Sequence, residues 1–108
     1  VEELIDRYKN VSNYTENFEY DLIINTTPIS LKNEEINFPK NIFSPSSISY
    51  DLFYSKTITS FQSWSKNNGA VESYDGLGML IEQAALSYEI WNNFKPNTKN
   101  IKDSLGFM

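Results

Sequence analysis

Three short strand-like runs, each handing over to a helical stretch, leave this chain few folds to choose from. Residues 18–25 read Phe-Glu-Tyr-Asp-Leu-Ile-Ile-Asn. The continuous Leu22-Ile23-Ile24 centre is the pattern of a strand buried on both faces, as in a parallel sheet. It breaks off at Asn25-Thr26-Thr27-Pro28. Residues 49–54, Ser-Tyr-Asp-Leu-Phe-Tyr, mirror the first run: an aromatic, an aspartate, then apolar residues. Thr59 or Ser60 is placed to cap a helix through Asn67, with Phe61, Trp64 and Ser65 on one face. Asn68-Gly69 ends it, since glycine is favoured just past a helix. Residues 70–74 read as a third strand, followed by a long helix over residues 79–93. A last short helix over residues 97–105 is expected to turn Ile101 and Leu105 inward. Such alternation predicts an α/β fold with a parallel sheet and right-handed crossovers.

The flanks are less patterned. Residues 1–8 read as the end of an amphipathic helix, with Val1, Leu4, Ile5 and Tyr8 at helical spacing. Val11 and Tyr14 suggest a short edge strand. Residues 30–46 form a long polar connection containing Pro39 and Pro45, with a short helix expected around Ser46 and Ser47.

Composition narrows the chemistry. The 108 residues suit one small domain, and 40% hydrophobic residues mark it as globular. A net charge of −5 argues against nucleic acid and against anionic membranes as partners. No stretch approaches the ~20 apolar residues of a membrane span, and no basic-then-apolar leader opens the chain. There is no cysteine and no histidine. Thiol nucleophiles, zinc–thiolate sites and a Ser-His-Asp triad are therefore excluded, and no metal site is expected. Cytoplasm is the default compartment.

The chemistry-bearing feature is Asp75-Gly76-Leu77-Gly78, a Gly-x-Gly turn at the start of the long helix. Glycines there permit positive φ and close approach of a ligand, and a helix start offers free N–H groups. Ligands of parallel α/β sheets sit beyond the carboxyl ends of the strands. The segments 25–28, 53–56 and 75–78 all fall there and are expected to share one crevice. The long helix carries two apolar stripes: Leu77, Leu80, Ala84, Tyr88 and Trp91, then Met79, Gln83, Leu86 and Ile90. One stripe suffices for a surface helix. Two predict burial against the sheet and against a further domain or subunit.

Three motifs together resemble the C-terminal part of the shikimate dehydrogenases: Asp21-Leu22-Ile23-Ile24-Asn25-Thr26-Thr27-Pro28, Tyr50-Asp51-Leu52-Phe53-Tyr54, and Asp75-Gly76-Leu77-Gly78-Met79-Leu80 through Glu82-Gln83-Ala84-Ala85. The resemblance implies a partial Rossmann-type doubly wound parallel sheet with C-terminal helices. Residues 1–75 would be the C-terminal portion of the NADP-binding domain. Residues 76–108 would be the turn and the helices that pack toward an N-terminal substrate domain absent from this sequence. The phosphate-binding glycine turn and the segment holding the NADP 2′-phosphate have no counterpart here. No catalytic residue is expected in this chain, because the family's lysine and aspartate belong to the substrate domain. Lys56 and Lys66 are not candidates.

By motif position, the resemblance implies substrate binding by Gln83 and Tyr54. It implies cofactor contacts from Gly76, Met79, Leu52 and Thr26. Two departures stand out: Ser30 where the family usually has glycine, and Thr59-Ser60-Phe61 where it has Thr-Pro-Phe. The implied activity is reversible NADP(H)-dependent reduction of 3-dehydroshikimate to shikimate, with the 108-residue chain alone inactive. Two rival readings are a noncatalytic module that forms homo-oligomers through an exposed sheet edge, and a relative that prefers quinate.

Overall fold

A computed structural model describes residues 2–32 and 34–105. In chain order the elements are α1 (Glu2–Arg7), β1 (Tyr20–Asn25), α2 (Ile29–Lys32), β2 (Phe43–Asp51), α3 (Ser60–Asn67), β3 (Glu72–Tyr74), α4 (Leu77–Asn92) and α5 (Ile101–Ser104). The three strands form one parallel sheet in the order β1-β2-β3. This is the expected α/β alternation, and it places all three carboxyl ends on one side. Val1, the first residue of the expected opening helix, lies outside the described residues. The proposed edge strand at Val11 and Tyr14 does not form: residues 10–19 carry no strand.

Register decides which side chains share a face. Ile23, Ser49 and Ser73 are aligned across the sheet, while Leu22, Ile48 and Glu72, and then Ile24, Tyr50 and Tyr74, point the other way. The first face lies under α3. Ser47 and Ser49 are fully buried there, and Ser49 Oγ donates to Ser73 Oγ at 2.6 Å. Small side chains let α3 approach closely. Phe61 and Ser65 are its buried residues, and Trp64 packs with Ile23 on the Ile42, Phe43 and Ala70 cluster.

The second face is open, which overturns the expectation for β1. Leu22 is 54% exposed and Ile24 is 51% exposed. The described residues supply a helix to one face only, so a run patterned for two-sided burial is covered on one side.

Strand β2 also begins earlier than its pattern suggests. It starts at Phe43 and runs through Pro45, so the helix expected around Ser46 and Ser47 is absent. Proline cannot donate to the ladder, and the pairing slips between Tyr20↔Phe43 and Leu22↔Ile48. Serine hydroxyls satisfy the backbone through that irregularity. Ser47 Oγ donates to the Tyr20 carbonyl, and the Ser44 N–H donates to Ser47 Oγ at 2.7 Å.

The caps of α3 are as the sequence dictates. Thr59 accepts from the Gln62 N–H at 3.1 Å, and Gln62 Oε1 accepts from the Thr59 N–H at 2.9 Å, a complete capping box. Gly69 just beyond the helix has φ 117°, where a side chain is disfavoured.

Helix α4 is 16 residues long and buries only Leu77. Its first stripe faces α5 rather than the sheet. Leu77, Leu80, Ala84 and Tyr88 line an apolar cavity of about 390 Å³ with Ile101 and Leu105. Ile101 and Leu105 do turn toward α4, but at 36% and 51% exposure they are not buried. Among the described residues no helix is long and apolar enough to cross a membrane.

Candidate functional site

The carboxyl ends of the strands are tied edge to edge. The Leu52 N–H donates to the Asn25 carbonyl at 3.1 Å, and the Gly76 N–H donates to the Phe53 carbonyl at 3.0 Å. At the end of β1, Asn25 is 3% exposed and folds the chain back on itself. Its Oδ1 accepts from the Thr27 N–H at 3.0 Å and from Thr27 Oγ1 at 2.6 Å. Side-chain turns of this kind are why asparagine is favoured at such positions. The Asn25 amide nitrogen then donates to Asp51 Oδ1 at 3.1 Å.

Asp51 is the hub of these ends, and it is fully buried. Its Oδ1 also accepts from the Phe53 N–H at 3.2 Å, which turns the chain out of β2. Its Oδ2 accepts from Ser30 Oγ at 2.6 Å and Thr59 Oγ1 at 2.7 Å. A buried carboxyl group needs such partners, because burying it without them is expensive. Sequence reasoning quoted Asp51 as part of a motif but gave it no role. The available signal was parity: Asp51 shares the strand face of Ser47 and Ser49.

The Gly-x-Gly turn makes a close contact within the chain. Neither glycine takes positive φ; Gly76, the residue before α4, has φ −83°. Gly76 is glycine because its Cα lies against the backbone of Leu52: a Cβ would collide with the Leu52 carbonyl oxygen. The close approach is therefore between two parts of the chain. A Cβ at Gly78 would meet nothing within 4 Å. At the amino end of α4, Asp75 Oδ1 accepts from the Leu77 N–H at 3.1 Å. The Gly76 carbonyl accepts from the Leu80 N–H at 3.0 Å.

The remaining candidate residues lie on the segments that leave the strand ends. Leu52 and Tyr54 are each 38% exposed just past β2, where Tyr54 stacks on Phe53 with ring centroids 6.2 Å apart. Met79 and Gln83 are exposed on the first turns of α4, and Thr26 is exposed in the turn after β1. A cavity of about 380 Å³ is lined by Tyr50, Ser55, Lys56, Gln62, Asp75 and Met79. Thr26 instead lines a separate, mostly apolar cavity of about 520 Å³ with Ile24, Phe38 and Trp64. The single crevice expected from the three segments is thus split. The segments after β2 and β3 share one hollow, and the segment after β1 opens onto the other. Among the described residues no group of three or more acidic side chains is placed to hold a metal.

Comparison with known proteins bears on the last of these segments. The family model for the Shikimate 5'-dehydrogenase C-terminal domain matches residues 76–105, opening on the glycine that Leu52 demands. The shikimate dehydrogenase (NADP(+)) of Vibrio campbellii is 49% identical over 82 residues, which is 76% of this chain and 30% of that protein. The enzyme of the same name from Legionella pneumophila is 46% identical over 98 residues, covering 89% of this chain and 37% of the relative. The chain belongs to the shikimate dehydrogenase family. It spans about a third of the length of these relatives. Shikimate dehydrogenase from Aquifex aeolicus superposes with a TM-score of 0.66 at 27% identity, over 96% of this chain and 34% of that one. A shikimate dehydrogenase solved in complex with NADP+ gives a TM-score of 0.65 at 31% identity, over 79% of this chain and 30% of that one. The α/β architecture is accordingly Rossmann-type, with the shikimate dehydrogenase C-terminal segment beginning at the backbone contact between Gly76 and Leu52.

Proposed function

We propose that this chain is the C-terminal part of an NADP-dependent shikimate dehydrogenase, an oxidoreductase that interconverts 3-dehydroshikimate and shikimate in aromatic amino-acid biosynthesis. The observation that carries the reading is 49% identity to a named NADP(+) enzyme over 82 residues. On this reading residues 1–75 continue the cofactor domain, and residues 76–108 lead toward a substrate domain.

The residues present suit the nicotinamide end of the cofactor better than its phosphates. Leu52 and Met79 offer exposed apolar surface for a flat ring, and Thr26 offers a hydroxyl. At the amino end of α4, the natural place for an anion, the Asp75 carboxyl group already takes the Leu77 N–H. NADPH would supply the hydride. The part of this chain is to hold and orient: Leu52, Gly76 and Met79 around the ring and Thr26 beside its ribose on the β1 side, with Gln83 and Tyr54 hydrogen-bonding the substrate. It brings no acid–base catalyst of its own, so the 108-residue chain alone is expected to show no dehydrogenase turnover.

The test is isotope-edited NMR of the chain titrated to millimolar shikimate and NADP+. Shifts at Gln83 and Tyr54 with shikimate, and at Thr26, Leu52, Gly76 and Met79 with NADP+, support the assignment. A well-dispersed spectrum unchanged at those residues removes it.

A second reading has its own observation. Ile90 and Trp91 on α4 are 72% and 80% exposed, and Leu22 and Ile24 are bare on the sheet. Apolar surface of this extent marks an interaction face. In isolation the chain is expected to self-associate; a monomer by light scattering at high concentration would count against it.

A further inference from the structure

Ser30 stands at a crossing that its sequence position does not announce. It belongs to α2, the single turn that follows the 25–28 loop. Its hydroxyl donates to Asp51 Oδ2 at 2.6 Å and accepts from the Phe61 N–H at 3.2 Å and from Ser60 Oγ at 3.3 Å. The first N–H groups of a helix have no partner within it. In α3, Thr59 serves the Gln62 N–H, and Ser30 serves the Phe61 N–H from 31 residues away. Asp51 carries the connection onward. Through one carboxyl group it holds Asn25 and Ser30 on the β1 side, and Phe53 and Thr59 on the β2 side.

We propose that Ser30 is a positioning residue: its hydroxyl fastens the loop after β1 to the amino end of α3 and to Asp51, so the loop carrying Thr26 is held in place before any ligand arrives. Glycine at this position would leave the Phe61 N–H and one face of the Asp51 carboxyl group to water. Both ends of the loop are then fixed by the same carboxyl group, Asn25 at its start and Ser30 at its end. The loop between has its own short bonds, Thr27 to Asn25, and the Lys32 N–H to the Pro28 carbonyl at 3.0 Å. The consequence for ligand binding rests on the cofactor reading of Thr26 given above. The fastening itself does not.

Amide hydrogen exchange of the whole chain, resolved by NMR, separates the two. In Ser30→Ala and Ser30→Gly, exchange at Thr27, Lys32 and Phe61 should rise roughly tenfold, as expected for opening a loop that has lost about one hydrogen bond. The β2 amides at Ser49 and Tyr50 should keep their wild-type rates. Ser30→Thr, which retains the hydroxyl, should restore protection. Unchanged exchange at Thr27 and Phe61 in both variants would overturn the proposal. So would a uniform rise across Ile23, Tyr50 and Phe61, which marks a purely structural loss. NADP+ titration of the same proteins then reads the cofactor assignment by itself. If no protein shows NADP+ shifts at Thr26, that assignment fails, while the exchange rates still decide the role of Ser30.

Discussion

Under α3 the sheet presents Ile23, Ser47, Ser49, Asp51 and Ser73; on its other side it presents Leu22, Ile24, Ile48, Tyr50 and Tyr74. Polar groups are buried on the first side and apolar groups exposed on the second, the reverse of the usual partition. The covered face works because its polar groups bond one another. Ser49 reaches Ser73, Thr59 reaches Asp51, and Asn25 reaches Asp51. Its specificity therefore lies in matched donors and acceptors, which tolerate few exchanges. The open face carries no such constraint. Glu72 at its β3 edge aside, it is an apolar surface whose stabilisation is realised only when something covers it.

Removing the hub tests the covered face most severely. Asp51→Ala strands Asn25, Ser30, Thr59 and the Phe53 N–H at once. Leaving buried groups unsatisfied costs about 1–3 kcal/mol each before relaxation, so a loss of at least about 3 kcal/mol is expected by urea unfolding. A loss below about 1 kcal/mol would mean that water replaces the network and that the covered face is less specified than its bonds suggest. Gly76→Ala probes a tight contact beyond the strand ends, against the Leu52 carbonyl. Overpacking against backbone should cost about 3 kcal/mol, whereas Gly78→Ala, with open space around it, should be neutral or gain up to about 1 kcal/mol. Equal effects at the two glycines would show that the turn yields as a unit.

Much of this was readable from the chain, for local reasons. Thr59 and Gln62 sit at capping-box spacing, Asn68-Gly69 stops α3, and the short β-branched run at Leu22-Ile23-Ile24 is a strand. What failed to show depends on partners far away in sequence. Strand β2 passes through Pro45 because Ser47 reaches the Tyr20 carbonyl 27 residues earlier. Asp51 looked like half of a repeated aromatic-Asp pattern, yet Asp21 is exposed and Asp51 fully buried. Only the register, not the motif, separates them. The glycine turn was noticed for its freedom, while Gly76 also meets a packing demand from Leu52, a residue 24 positions away. Ser30 read as a departure from a family pattern, and its three bonds appear only once β2 and α3 are in place.

The contrast between faces is read most directly by neighbouring isoleucines. Ile23→Ala, packed against Trp64 and the Phe43 cluster, should cost about 2 kcal/mol. Ile24→Ala, half exposed on the open side, should cost less than about 1 kcal/mol and should lower self-association instead. If Ile24→Ala destabilises as much as Ile23→Ala at dilute concentration, the open face is already covered in solution, and the comparison must be redrawn with an assembly as the unit.

The smallest effect belongs to Ser65, where the covered face breaks its own rule. Its side chain is fully buried in α3 and its hydroxyl has no partner among the described residues, unlike those of Ser47 and Ser49. An unpaired buried hydroxyl opposes folding, and alanine is the better helix former. Ser65→Ala should therefore stabilise the chain by about 0.5–1 kcal/mol. A loss of about 1 kcal/mol would instead show that the hydroxyl bonds back onto its own helix. In that case every buried serine on this face is satisfied, and small size alone does not explain why α3 and the sheet meet through serines.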